Sequence, residues 1–328
     1  MTKVLITGGA GFIGSACAKA LMDRGDKVVL VDNFNDYYDP QLKEDRIAKF
    51  LKGYRNKRGE DKKGKFTLYR ADIGDVTRME RIFAKEKPHK VIHLAAMAGV
   101  RASLEDPLRY VDVNVLGTTN LLTLAVKYKV KNFVYASSSS VYGGNTKVPF
   151  SEKDPVDRPV SPYAATKKAT ELLAHTFSHL YGLKTTGLRY FTVYGPWGRP
   201  DMGVFTFLER IMRGQTIDVY NRGDMERNFT YIDDIVSGTL TVLDADLDYD
   251  VINIGGDRTV KLMDFIAETE KALGIKAKKR LLPMQPGDVK VTSANIRKLR
   301  ALGWRPTTRI EQGIPAFIAW YKEYYKDA

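Results

Sequence analysis

The sequence predicts an α/β protein in which a parallel sheet is doubly wound with helices and a smaller α/β lobe follows it. Three observations carry that expectation. Short β-branched runs (VLITGG, KVVLVD, FTLYRAD, KVIHLAA and NFVYASSS) alternate with helix-length stretches through the first half of the 328-residue chain. That alternation is the pattern of a parallel sheet covered on both faces. The first strand also runs through a glycine-rich turn straight into a helix, and after Leu188 the rhythm changes to loops such as YGPWGRPDMG with short strands IDVY and YDVINIGG. Residues 1–180 are therefore expected to form one domain, to which 217–245 return, and 181–328 a second.

Val4 to Thr7 make the opening strand, and Gly8, Gly11 and Gly14 follow in G-x-x-G-x-x-G spacing before a helix that begins near Ser15. Such a turn needs glycine first to bend tightly, next to let backbone amides approach a pyrophosphate, and last to pack helix on strand. The helix N-terminus then offers free amides to the anion. Asp32 ends the next strand at the interval of a carboxylate that accepts from both ribose hydroxyls. It would repel a 2′-phosphate and so favours NAD over NADP. The structural alternative is an Asp that caps a turn before Asn33. Taken together, the unit predicts a Rossmann-like dinucleotide-binding half.

The next stretch, from Lys43 to Lys65, holds much of the excess behind a net charge of +13. Ile47, Phe50 and Leu51 recur there at helical spacing among the charges, which reads as a solvated helix and loop. A phosphate-rich partner such as RNA is the competing reading, but the stretch lacks the interleaved aromatics of nucleic-acid recognition beyond Tyr54. No apolar run reaches the roughly 18 to 20 residues that span a bilayer. Met1 leads directly into the first strand without a basic and then apolar leader, so a cytoplasmic protein is expected. The single Cys17 excludes an intramolecular disulfide and a cysteine-based metal cluster, and no metal is expected.

KVIHLAA is almost unbroken in apolar residues, as a strand buried on both sides should be, and His93 within it reads as a satisfied core histidine. NFVYA ends in Ser137, Ser138, Ser139 and Ser140, at the carboxyl end of a parallel strand where such sheets place ligands. Four hydroxyls can orient a hydroxylated ring, although serines at a strand end also serve turns. SPYAATKKATELL then places Tyr163 and Lys167 one helical turn apart on one face. A lysine ammonium and a cofactor cation both favour a phenolate, which makes the tyrosine a base for a sugar hydroxyl. At the end of the chain, Ile314, Phe317, Ile318, Tyr321 and Tyr324 recur at helical intervals between Gly313 and Tyr325 and predict a packed terminal helix.

TGGAGFIG, Asp32, HLAA, SSSSVYG and the Tyr163–Lys167 pair together resemble the extended short-chain dehydrogenase/reductases that act on nucleotide sugars, over nearly the whole chain. The blocks DNFNDYYDPQLK, GVRASLEDP, YAATKKATE, RYFTVYGPWGRPDM, FTYIDDIV and LPMQPGDV look like the UDP-glucuronate 4-epimerase branch. The resemblance implies NAD as cofactor and Ser138, Tyr163 and Lys167 as the catalytic set. It implies cofactor contacts from Gly8, Gly11, Phe12, Ile13, Gly14, Asp32, Asn33, Asp72, Ile73, Leu94, Ala95, Ala96, Tyr190 and Val193. For a uronate carboxylate it points to Ser139, Ser140, Thr192 and Arg199, an arginine fork being suited to a carboxylate. Arg227 matches an arginine that grips the diphosphate, Asp288 a residue near the uridine ribose, and Arg101 and Tyr220 further substrate contacts. Asn228 departs from the Asp common in the family.

The resemblance also separates neighbouring activities. Sugar 4,6-dehydratases carry an Asp-Glu pair where this chain has Ser139 and Ser140, and UDP-glucuronate decarboxylases carry Glu at position 140. Galactose-type epimerases usually have Asn in place of Thr192. The implied reaction is reversible C4 epimerisation between UDP-glucuronate and UDP-galacturonate through a transient 4-keto sugar. A UDP-glucose/UDP-galactose 4-epimerase, and a non-catalytic NAD- or RNA-binding relative, remain as alternatives. The resemblance further implies a homodimer built on the helix from about Pro107 to Tyr128 and the helix after Tyr163.

Overall fold

In the computed structural model, residues 1–54, 64–285 and 288–325 are described. The glycine turn and the β-branched runs fold as expected. Strands β1 (Lys3–Thr7), β2 (Lys27–Asp32), β3 (Phe66–Arg70), β4 (Lys90–His93), β5 (Asn132–Ser138), β6 (Thr185–Tyr190) and β7 (Tyr249–Ile254) form one sheet. Every pairing in it is parallel, and the order is β7-β6-β5-β4-β1-β2-β3.

Both faces are covered, which is why these strands read as continuous apolar runs. Alternate residues point to opposite sides. Val4 and Ile6 enter a core with Cys17 and Leu21 of α1 (Phe12–Asp23) and Ile235 and Val242, whereas Leu5 enters the opposite core with Met79, Phe83, Leu121 and Leu122. Those partners come from α3 (Val76–Glu86) and α4 (Gly117–Lys127), which follow α2 (Pro40–Leu51) in the chain. Cys17 is fully buried and its thiol is pushed up to about 12 by burial, as befits an inert structural residue.

The sheet runs past the boundary expected at residue 180. β6 and β7 are integral to it; α5 (Pro162–Tyr181) precedes β6, and α6 (Gly203–Met212) and α7 (Ile232–Asp244) lie between the two strands. Arg189 hides β6 in the sequence, yet all six residues of that strand are buried. Its charge is absorbed by Glu171 of α5, with Nε donating to Oε1 at 2.8 Å and Nη2 to Oε2 at 2.9 Å. Of the segment 217–245, α7 and the preceding Phe229 and Tyr231 join the large sheet's core, whereas Thr216–Val219 pairs with Lys278–Leu281 in the smaller lobe. That lobe has its own core of Ile211, Ile217, Val219, Met225, Leu262 and Ile266, partly supplied by α8 (Leu262–Leu273).

The basic segment departs from the expected solvated face. Lys43 and Arg46 on α2 are 5% and 0% exposed, so this part of the charge is internal. Residues 55–63 of the same segment lie outside the described residues. The terminal helix α9 (Ile310–Tyr324) packs as expected through Ile314, Phe317, Ile318 and Tyr321, and Tyr324 donates to Asp45 of α2 at 2.5 Å. Among the described residues no helix is long and apolar enough to cross a membrane.

Candidate active site

The strand order reverses between β1 and β4, and a crevice opens there at the carboxyl ends of the strands. Its cavity measures about 430 Å³. At one end lies the glycine turn. Gly8 has φ +67°, and a Cβ on it would sit 2.8 Å from the Ala95 nitrogen; a Cβ on Gly14 would sit 2.2 Å from the Gly8 carbonyl oxygen. No larger residue fits either place. α1 begins immediately after Gly11 with no side-chain cap, so its first amides keep no side-chain partner.

Asp32 is 7% exposed at the end of β2. Its oxygens accept from the Ala10 amide at 3.0 Å and the Phe34 amide at 2.9 Å. The capping role and the ligand role are thus both available, because each carboxylate oxygen has a second lone pair. Asn33 donates to Asp72 at 2.7 Å. Lys43 reaches in from α2, 3.8 Å from the Asp32 carboxylate, and donates to the Asn35 carbonyl and side chain. Burial holds the Lys43 ammonium below the usual lysine range.

At the other end Tyr163, Lys167 and the serines come together. Ser161 caps α5 by accepting from the Ala164 amide, and Pro162 starts the helix, which fixes where Tyr163 leaves it. Burial raises the Tyr163 phenol, while the Ser138 hydroxyl and the Arg199 charge pull it back. Lys167 does not bond the phenol: its ammonium donates to the Ala136 carbonyl at 2.8 Å and lies 6.0 Å from the Tyr163 ring centre. Burial brings this lysine down to about 8, with Arg199 adding to the effect. Ser138 donates to Ser140 at 3.1 Å and accepts from its amide. Ser137 is not available as a fourth orienting hydroxyl, because it donates to buried Glu171 at 2.7 Å.

All the expected cofactor contacts line this one cavity, as do Ser138, Ser139, Ser140, Thr192 and Arg199. Arg101, Tyr220, Arg227 and Asp288 stand outside its lining. Arg101 lies over the Tyr220 ring at 5.2 Å, and Arg227 donates to Asp288 at 2.8 Å and to the Lys290 carbonyl at 3.0 Å. Burial lowers Arg227 from the usual guanidinium range. Asn228 has a local reason: its amide donates to the Gly256 and Arg258 carbonyls at 3.0 Å each, which an aspartate could not do. His93 bridges the Thr7 and Thr118 hydroxyls at 2.7 and 2.9 Å, and burial takes it down to about 3; it is a core residue.

Sequence reasoning missed Lys43, Tyr37 and Arg46. Arg46 donates to the Trp197 and Gly198 carbonyls and to the Tyr38 hydroxyl, tying α2 to the loop that carries Arg199. The available signal was Asp39–Pro40, which caps and starts α2 and thereby sets Lys43 and Arg46 three apart on one face.

The sequence pattern described as "NAD dependent epimerase/dehydratase family" matches residues 4–255. The chain belongs to that family. Within it, the epimerase/dehydratase chain is 47% identical to Protein CapI of Staphylococcus aureus, over 99% of each chain. It is 46% identical to UDP-glucuronate 4-epimerase 4 of Arabidopsis thaliana, over 98% of this chain and 76% of that one. Its structure matches UDP-glucuronic acid 4-epimerase from Bacillus cereus, crystallised with UDP-glucuronic acid and NAD, with a TM-score of 0.90 at 34% identity, covering 98% of this chain and all (100%) of that one. The family's NAD fits the epimerase/dehydratase crevice. The cradle at Gly8 and Gly14 has no room for a Cβ, the amides of α1 lack side-chain partners, and the Asp32 carboxylate faces the same space.

Proposed function

We propose that the protein interconverts UDP-glucuronate and UDP-galacturonate by epimerising C4. The observation that carries this reading is one cavity holding a dinucleotide cradle at one end and Tyr163, Lys167, Ser138–Ser140, Thr192 and Arg199 at the other. The likeness to UDP-glucuronate 4-epimerases along the whole chain supports it.

NAD, held by the Gly8–Gly14 turn and Asp32, would supply reversible hydride exchange at C4, which makes the sugar's 4-keto form accessible. Tyr163 takes the O4 proton at its phenolic oxygen and gives it back, with the Ser138 hydroxyl beside it to orient O4. Lys167, held by the Ala136 carbonyl, presents its charge to the tyrosine ring and favours the phenolate. Arg199, Thr192, Ser139 and Ser140 hold the carboxylate, which in a β-keto acid must be kept from the geometry of carbon dioxide loss. Arg227, Asp288, Arg101 and Tyr220 serve the UDP portion beyond the cavity. The lack of an Asp-Glu pair at Ser139 and Ser140 disfavours dehydration.

Incubation of the purified protein with UDP-glucuronate, followed by chromatography and proton NMR, tests the reaction. UDP-galacturonate as the product supports it; a pentose nucleotide would point to decarboxylation, and turnover of UDP-glucose alone to the galactose-type alternative.

We also infer a homodimer acting in the cytoplasm. Leu104, Leu108, Val111 and Leu116 are exposed on segments that pack against α5, on which Leu172 and Leu180 are exposed too, and so much apolar side chain on neighbouring helices favours a partner copy. Light scattering of wild type and Leu172→Lys checks it: a dimer mass that falls to the monomer in the variant is expected.

A further inference from the structure

Arg199 enters the cavity with part of its donor fork already engaged. Its Nε donates to Asp201 Oδ1 at 2.9 Å and one terminal nitrogen donates to Oδ2. A guanidinium has five N–H groups in a rigid plane, so this side-on grip leaves the end-on edge free for a second carboxylate. The rest of Arg199 is held just as firmly. Its guanidinium carbon lies 5.6 Å from the Tyr37 ring centre, and Tyr37 is itself fixed by donating to the Ala98 carbonyl at 2.6 Å. The backbone before it is held by Arg46 through the Trp197 and Gly198 carbonyls. Behind it, the Met202 amide donates to the Arg199 carbonyl at 3.2 Å, closing a turn with Pro200 at its second position.

Nothing in a loop ion pair by itself demands this. Exposed pairs contribute little to stability, and Arg199 and Asp201 keep 23% and 28% of their side-chain surface open. What the pair does is fix an orientation. A freely turning arginine would lose rotamer entropy each time it gripped a carboxylate, whereas one backed by an aspartate two residues on has lost that freedom beforehand. Asp201 also offsets the Arg199 charge in a cavity whose other charged lining residues, Lys43 and Lys167 against Asp32 and Asp72, balance each other.

Building on the uronate reading above, we propose that Asp201 is a positioning residue that sets the Arg199 fork for the substrate carboxylate and so favours uronates over neutral hexoses. Asp201 itself stands outside the cavity's lining and would act through Arg199. Its effect is confined to ligands that carry the carboxylate.

Equilibrium binding of UDP-glucuronate and UDP-glucose to NAD-loaded protein tests this in a Tyr163→Phe background, where turnover is blocked. Asp201→Asn should weaken UDP-glucuronate about tenfold and UDP-glucose less than about twofold, a ratio set by loss of one oriented charge-assisted contact. Asp201→Glu should restore most of the difference. Equal weakening of both ligands would mean a structural role, and tighter UDP-glucuronate binding would mean that Asp201 competes for the fork; either overturns the proposal. A parent protein with no preference for the uronate overturns the substrate reading and this proposal together, while a preference that Asp201→Asn leaves intact overturns this proposal alone.

Discussion

The two ends of the cavity are built from different materials. The cofactor end is mostly backbone: Gly8, Gly11 and Gly14 come from a single turn, and the donors they expose are amides of α1. At the sugar end the groups are side chains gathered from β5, α5 and the loops after β6, and its cations are already engaged, Arg199 with Asp201 and Lys167 with the Ala136 carbonyl. A backbone cradle tolerates no added atom but asks little of distant residues. A side-chain cluster depends on each member being aimed by another.

The most drastic way to sharpen that contrast is Tyr163→Phe. Removing one oxygen from the sugar end should cut turnover of UDP-glucuronate by about 10³-fold or more, as loss of a general acid–base group does, while bound NAD is retained. Stopped-flow or end-point NMR rates, with the nucleotide content measured after denaturation, check both halves. Loss of NAD in this variant would break the division between the two ends.

Gly14→Ala makes the converse test. Its added methyl would meet the Gly8 carbonyl at 2.2 Å, and the loop must shift to admit it. Overpacking of that kind costs about 1–3 kcal/mol, here expressed as a lower melting temperature and about 10–100-fold weaker retention of NAD. Unchanged NAD content after gel filtration would show that the turn relaxes freely. Arg199→Ala comes next, weakening UDP-glucuronate by about 10-fold or somewhat more and UDP-glucose by less than about twofold, measured by titration calorimetry.

The same contrast explains what was legible beforehand. The cofactor end is written within one short segment, because strand, glycine spacing, helix and Asp32 are adjacent in sequence, and the spacing alone names the geometry. Tyr163 and Lys167 were legible for the same reason, being one helical turn apart. Lys43, Tyr37 and Arg46 were not, since α2 reads as a charged helix and only its packing against the Trp197 loop makes Arg46 internal. The sheet's extension past residue 180 was hidden for the same reason: Arg189 breaks the apolar run of β6, and its partner Glu171 sits on another element. Ser137 looked equivalent to its neighbours, but strand alternation turns it toward α5. Pairings between distant residues leave no local pattern to read.

His93 gives the smallest expected effect on catalysis and the cleanest separation of support from site. It lies on β4 beneath the crevice, bridges two threonine hydroxyls, and is held down at about 3 by burial from an ordinary value of 6.5. Below pH 6.5 the unfolded chain binds a proton here that the folded one refuses, so stability contributed by the neutral ring is present above that pH and is lost as pH falls towards about 3. Each pH unit inside the window costs at most about 1.4 kcal/mol. Urea titrations at pH 6 and pH 4 should therefore show a difference larger in wild type by about 2 kcal/mol than in His93→Gln, whose amide does not titrate. Turnover at pH 7.5 should stay within about threefold, because glutamine can still bond one threonine and no ligand is touched. A turnover loss approaching that of Tyr163→Phe would place His93 in the chemistry, and the line between a backbone cradle with its support and a reactive sugar end would have to be redrawn.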